Sequence, residues 1–303
     1  MSEAKPREDR TASGVLMMAL AVLGFTCIDS SAKWLILAGL PALQVVFARY
    51  AGHFIIAVVL YGVQEGRQAF VSNAPLRQLL RSLFLLGSTV CNFTALKYLP
   101  ITVTTTIMFA GPIVVTLLAI PILGEKVGLR RIVAVCVGFL GVIVVMQPWG
   151  VDFHPAMFLS IAALCMAALY FIMTRLLAGI EGNATQQVWS SGVASCALMP
   201  FVLGNWVWPE GNAWIAFVLI GCFGASGHIA AVTAHRWADA SILAPVIYIQ
   251  IFLAAVAGIL LFDTWPTVWT LGGGAIIIVS GLYIWQRERA LRGRVRRPLP
   301  HTR

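Results

Sequence analysis

Asp29 and Lys33 stand four positions apart in GFTCIDSSAKW (residues 24–34), directly after the apolar run GVLMMALAVL. On a helix this spacing puts a carboxylate and an ammonium on one face. Arg49 follows in the next apolar run. Such charges can pair with one another, hold a charged solute or carry a proton. Neutral polar and aromatic residues in other apolar runs are candidates for lining a solute site: Asn92, Thr105, Phe109, Tyr170, His228, Tyr248 and Gln250, with Thr89 close to Asn92. Amides and hydroxyls in such runs also serve as helix–helix glue. His228 stands out because GCFGASG (221–227) precedes it, with glycines at i, i+3 and i+6 that allow close backbone approach or a bend. The same stretch spells GASG, the GxSG pattern of a serine nucleophile. His228, two residues from Ser226, would point about 200° away on a helix and could not easily act as its base.

What must position these groups follows from composition. The 303 residues are 59% hydrophobic and 11% charged, against about 25% charged in a soluble domain. Lipid is therefore the expected solvent, and about 20 apolar residues span a bilayer. Ten segments qualify, near 13–37, 41–63, 75–98, 100–123, 128–147, 155–177, 184–204, 212–236, 241–262 and 267–286. Short links with turn formers separate them, such as AGLP (38–41) and QPWG (147–150). The expected fold is an all-α, multi-pass membrane protein. The first run is longer than a cleavable signal core and lacks a small-residue cleavage site. All six cysteines fall inside apolar runs without metal-ligand spacing, so neither disulfides nor a metal is expected.

Charge gives the expected orientation. With ten spans both termini share one side, and that side collects Lys5, Arg7, Arg10, Arg67, Arg77, Arg81, Lys126, Arg130, Arg131, Arg175, Arg236 and seven arginines from Arg287 to Arg303. Lys33 and Lys97 lie opposite, and Arg49 lies within a span. The bias places both termini in the cytoplasm. It also reads the basic tail as a topology anchor, not a nucleic-acid site. Trp206, Trp208, Trp214, Trp265 and Trp269 read as an interfacial belt.

Asp29 is the one acidic residue well inside a span, where an ionisable group costs about 2.5–3.5 kcal/mol at a helix centre. Asp29 lies ten residues before Gly39 and Arg49 ten after, so both sit about 15 Å from the turn on adjacent helices. Asp29 is thus expected to be the counter-ion of Arg49, with Lys33 reaching outward to the interface. The pair could be a static brace, a gate, or a site where Asp29 meets substrate or a proton. His53 is expected to pack or to face the cytoplasmic half.

The chain also repeats. ALKYLPIT (95–102) aligns with AHRWADAS (234–241) at an offset of 139, and KWLILAGLPALQ (33–44) matches RLLAGIEGNATQ (175–186) more weakly at 142. Phe109 and Tyr248 fall at equivalent positions, as a cavity-facing aromatic pair would. Five spans per half make the second copy enter from the other side, an inverted repeat with a site near the midplane. The expected layout is an N-terminal tail (1–12), repeats over 13–147 and 155–286, and a basic C-terminal tail (287–303).

LPALQVVFAR (40–49), ALKYLP (95–100) and LGEK (123–126) carry a resemblance to the EamA-like branch of the drug/metabolite transporter superfamily over nearly the whole chain. The second half departs from it: LFDTW (261–265) replaces the LGE form, so no role of that glutamate carries over there. The resemblance implies ten helices around a central cavity lined mainly by spans one, three, four, six, eight and nine. It also implies alternating access for small organic solutes. The expected function is secondary transport of an amino acid or a related neutral or zwitterionic metabolite across a bacterial inner membrane. The LPALQ form of span two also resembles importers of riboflavin or S-adenosylmethionine. An intramembrane serine protease and a membrane scaffold are the readings from other classes. No phosphate-binding loop is present and no cofactor is expected. The expected partners are a small-molecule substrate and the bilayer. Proton coupling would have to use Asp29 or a histidine, and exchange or facilitated diffusion is equally open, as is the oligomeric state.

Overall fold

A computed structural model of the protein describes residues 10–124, 128–150, 152–238 and 240–295. Glu125 and Lys126 of the LGEK stretch, Lys5, Arg7 and the last eight residues of the basic tail lie outside the described residues. The chain runs α1 (Thr11–Leu37), α2 (Ala42–Glu65), a 3-10 turn (Gly66–Phe70), α3 (Pro75–Leu96), α4 (Ile101–Met108), α5 (Gly111–Leu123), α6 (Leu129–Met146), α7 (Met157–Leu176), α8 (Asn183–Leu203), α9 (Ala213–Trp237), α10 (Ala240–Ile247), α11 (Ile249–Phe262) and α12 (Val268–Val295). No strand occurs among the described residues.

Nine stretches among the described residues are long and apolar enough to cross a membrane. Expected span four is two helices, α4 and α5, and span nine is likewise α10 and α11. Pro112 enters the first turn of α5, where its missing N–H is tolerated, but it cannot bond back into α4. Pro245 lies inside α10, just before the second break. The expected seventh span, α8, is absent from the nine. Its 21 residues are long enough, but it carries Thr185, Gln187, Ser190, Ser191 and Ser195, all buried against other helices.

Sharp turns use the residues that suit them. Gly39 takes φ +99° between α1 and α2, a backbone state that a side chain disfavours. α5 and α11 both end in a left-handed residue, Gly124 (φ +65°) and Asp263 (φ +50°). These two caps are 139 positions apart, and so are the starts of α4 and α10, the ends of α1 and α7, and the starts of α6 and α12.

The most extensive helix packing joins α1 with α9, α6 with α12, α3 with α7 and α2 with α8. Each pair takes one helix from each half of the chain. Small residues permit this. A Cβ added at Gly52 of α2 would lie 2.8 Å from Gly221 Cα of α9, and one at Gly221 would lie 2.7 Å from Gly52 Cα. In lipid, helices associate through such close packing more than through hydrophobic burial. One apolar core, with Leu35, Tyr50, Phe93, Leu96 and Ile220, lies among α1, α2, α3 and α9. A second, with Leu99, Ile107, Ile113, Leu164 and Ile277, surrounds the broken α4–α5 span. Leu16, Val63, Leu203 and Leu260 point outward, as lipid-facing residues do. Trp206, Trp208, Trp214 and Phe217 form a chain of ring contacts around the α8–α9 link, the first pair 5.8 Å apart.

Candidate functional site

The α2–α9 crossing sets the centre of the site. With Gly221 against Gly52, the next glycine of α9, Gly224, faces Arg49, and Gly227 faces Phe25 of α1. α9 is one continuous helix through all three, and each makes a close contact with α1 or α2. This brings His228 of α9 against α2 and α1. Its ring stacks on His53 with centroids 5.5 Å apart and meets Phe25 edge-on at 5.3 Å.

Arg49 is buried, 6% exposed. Its Nη1 donates to Thr89 Oγ1 at 3.0 Å, and its Nη2 lies 3.4 Å from His228 Nε2. A guanidinium can only donate, so His228 Nε2 is the acceptor of that bond. Tyr50 adds its ring under the guanidinium, 4.6 Å from its centroid, and its hydroxyl lies 2.8 Å from Thr89 Oγ1. Arg49 Nε is buried and has no partner.

Asp29 accepts a hydrogen bond from Asn92 Nδ2 at 3.2 Å. Asn92 Oδ1 is buried without a partner. Thr89 and Asn92 are three residues apart on α3, so one face of one helix holds the neighbours of both charges. This corrects the expected ion pair: among the described residues no salt bridge joins Asp29 to Arg49, although Arg49 acts on Asp29 electrostatically at longer range. Matched depth along a hairpin fixes height but not rotation. α3 supplies the amide and hydroxyl that each charge bonds instead.

Lys33 also departs from expectation. It turns inward, 6% exposed, with Nζ donating to Leu99 O at 2.5 Å and lying 5.4 Å from the Phe262 ring centroid. Together with Trp34, Leu37 and residues 259–264, it lines an open cavity of about 700 Å³ at the α1–α2 turn end. This cavity begins one helical turn from Asp29, and its lining residues are distinct from those of the charged centre.

Phe109 and Tyr248, each at the break in its own broken span, meet with ring centroids 5.3 Å apart. Thr105 Oγ1 is buried without a partner, and Gln250 sits half-buried in the first turn of α11. Tyr170 belongs to another cluster. Its hydroxyl accepts from Arg81 Nη2 at 2.9 Å, and Arg81 also donates to Thr174 Oγ1 at 2.8 Å and Ser190 Oγ at 2.7 Å. Arg81 was expected among the basic residues at the membrane face. It is 4% exposed and ties α3 to α7 and α8.

His53, expected to pack or to face the cytoplasmic half, is 4% exposed and stacks on His228, which puts it beside the charged centre. Its i,i+4 spacing from Arg49 was the available signal. Ser226 points elsewhere, bonding Phe223 O at 3.4 Å, while His228 faces Arg49. Among the described residues no group of three or more His, Cys, Asp and Glu side chains could hold a metal.

Comparison with known proteins adds to this geometry. The model of the EamA-like transporter family matches residues 12–147 and again 154–285. The S-adenosylmethionine uptake transporter of Rickettsia prowazekii (strain Madrid E) is 26% identical over 279 residues, covering 91% of this chain and 94% of that protein. The riboflavin transporter of Vibrio cholerae serotype O1 is 28% identical over 286 residues, covering 93% and 96%. A crystal structure 17% identical in sequence superposes with a TM-score of 0.63 over 92% of this chain and 99% of its own, so the fold is shared.

Proposed function

The chain belongs to the EamA-like transporter family, and on that premise we propose that it is a secondary transporter for a metabolite larger than a free amino acid, of the S-adenosylmethionine or riboflavin class. The observation that carries this reading is the centre inside the helix bundle to which α1, α2, α3 and α9 contribute Asp29, Arg49, Asn92 and His228, with Arg49 buried and the other three half-buried. Ionisable groups at such depth mark solute or ion pathways in membrane proteins. The names of the related S-adenosylmethionine uptake transporter and riboflavin transporter, which align over nearly their full length, support a substrate larger than the amino acid expected from the sequence.

The layout read for this mechanism is ten crossings in two inverted five-helix repeats. Its support is the twofold family match and the 139-residue spacing of caps and helix boundaries. α8 supplies the tenth crossing, its polar face turned onto α2 and α3 where lipid does not reach. The halves rock about the Gly52–Gly221 contact and expose the centre to either side in turn. The basic-residue bias puts both termini in the cytoplasm.

Counterflow in liposomes tests the function. Vesicles holding the purified protein and loaded with unlabelled S-adenosylmethionine or riboflavin should concentrate the same labelled compound from outside. A wild-type signal equal to protein-free vesicles for both compounds would remove this substrate class.

A further inference from the structure

We propose that the centre receives the zwitterionic head of an α-amino acid, its carboxylate on Arg49 and its ammonium between Asp29 and Asn92. This rests on the transport reading above and narrows its substrate to metabolites that carry such a head.

A buried guanidinium ordinarily meets a carboxylate, yet Arg49 meets a hydroxyl and an imidazole, and its Nε–H has no partner. A buried donor left unbonded is costly. Across the site the deficit has the opposite sign. The Asp29 carboxylate receives one amide hydrogen from Asn92, and Asn92 Oδ1 receives nothing. One side therefore lacks an acceptor and the other lacks a donor.

Spacing then selects the ligand. Thr89 and Asn92, which carry the neighbours of the two charges, are i,i+3 on α3, a separation of about 5–6 Å between Cβ atoms. An anion alone would satisfy Arg49 and crowd Asp29, and a cation alone would do the reverse. An α-amino acid head carries an acceptor and a donor of opposite charge on one carbon and answers both deficits. Its carboxylate suits the fork of a guanidinium. A neutral ring system such as riboflavin offers no charge to either side.

The substrate's body would extend along α1, away from the charged centre. Phe25 and His228 border the centre with aromatic faces, and the cavity at Lys33 begins one turn along α1. The account thus separates the two relative classes: S-adenosylmethionine carries the head and riboflavin does not.

The test uses the full chain in detergent and in liposomes, with S-adenosylmethionine, S-adenosylhomocysteine, decarboxylated S-adenosylmethionine, 5′-methylthioadenosine and riboflavin as probes. Binding is read from the concentration that half-saturates the thermal shift, and transport from counterflow. The two compounds with an intact head should bind at least about 10-fold more tightly than the decarboxylated and headless ones, as a site built to hydrogen-bond a group rejects analogues lacking it. Arg49→Gln should shrink the gap between S-adenosylmethionine and its decarboxylated analogue to under about 3-fold, because the carboxylate loses its fork. If that variant does not fold, the wild-type probe series decides alone. Equal wild-type binding of intact and headless probes, a shift by riboflavin and not by either headed compound, or an undiminished carboxylate preference in a folded Arg49→Gln would overturn the inference. Flux without head preference would overturn the inference and keep the transport reading. Head-dependent binding without flux would do the opposite, and absence of both would remove both.

Discussion

The two halves of the chain share their skeleton and divide their chemistry unequally. Broken spans, left-handed caps and helix ends recur 139 positions apart. The charged residues do not. The positions 139 beyond Asp29 and Asn92 are Ala168 and Ala231, and those 142 beyond Arg49 and His53 are Ser191 and Ser195. His228 is the second half's contribution, and the first half has Thr89 at the matching place. Both bond the same Arg49. A repeated scaffold can therefore build a one-sided site, in which the first half supplies the charges and the second half supplies the wall.

The largest effect should come from erasing that inequality. Giving the first half the second half's residues, with Asp29→Ala and Asn92→Ala together, should lower counterflow by about 100-fold or more, the scale of losing several transition-independent contacts to a buried charged ligand. Placing Asp at Ala168 in that background should not restore it. Restoration would mean that the halves are chemically interchangeable and the comparison is wrong.

The packing contact comes next. Gly221→Val should lower the melting temperature, with a loss of about 1–3 kcal/mol for overpacking, since the new methyls meet the α2 backbone with no flexible side chain to yield. A variant that melts like wild type would show that α2 and α9 can part at this crossing without penalty.

How much of this was legible in the sequence can be judged from particular residues. Apolar run length and turn chemistry located almost every helix. The 139 offset gave Phe109 and Tyr248 equivalent positions, and the structure brings their rings to 5.3 Å. The GCFGASG glycines announced the close approach that seats His228. What failed was rotation about helix axes. Asp29 and Arg49 have matched depth, but α3 supplies their partners, and no hairpin argument contains α3. Lys33 was expected to reach outward to the interface, and charge counting gave Arg81 a side of the membrane but no partners. The structure buries both, because a backbone carbonyl and a set of hydroxyls from other helices satisfy their N–H groups. Long-range partners of this kind leave no periodic trace. α8 was found by length, while its polarity, spent on contacts with α2 and α3, keeps it from reading as a membrane span.

Smaller effects sharpen the comparison further. His228→Thr copies the first half's residue into the second. It should reduce transport by about 10-fold, the loss of one hydrogen bond to a charged group, with little change in melting temperature. Unchanged kinetics would remove His228 from the site. The Phe109–Tyr248 pair should give the least. A double-mutant cycle on thermal stability with Phe109→Leu and Tyr248→Leu should show coupling of about 0.5–1.5 kcal/mol. Strict additivity would mean that the two breaks do not support one another.

The central claim is that this chain carries a metabolite through the Asp29–Arg49 centre. The most direct test is counterflow of labelled S-adenosylmethionine into liposomes holding wild type or the double variant Asp29→Asn, Arg49→Gln, with folding of both checked by thermal melting. The account predicts accumulation above equilibrium in the wild type and none above protein-free vesicles in the folded double variant. Equal accumulation in the two proteins would contradict it.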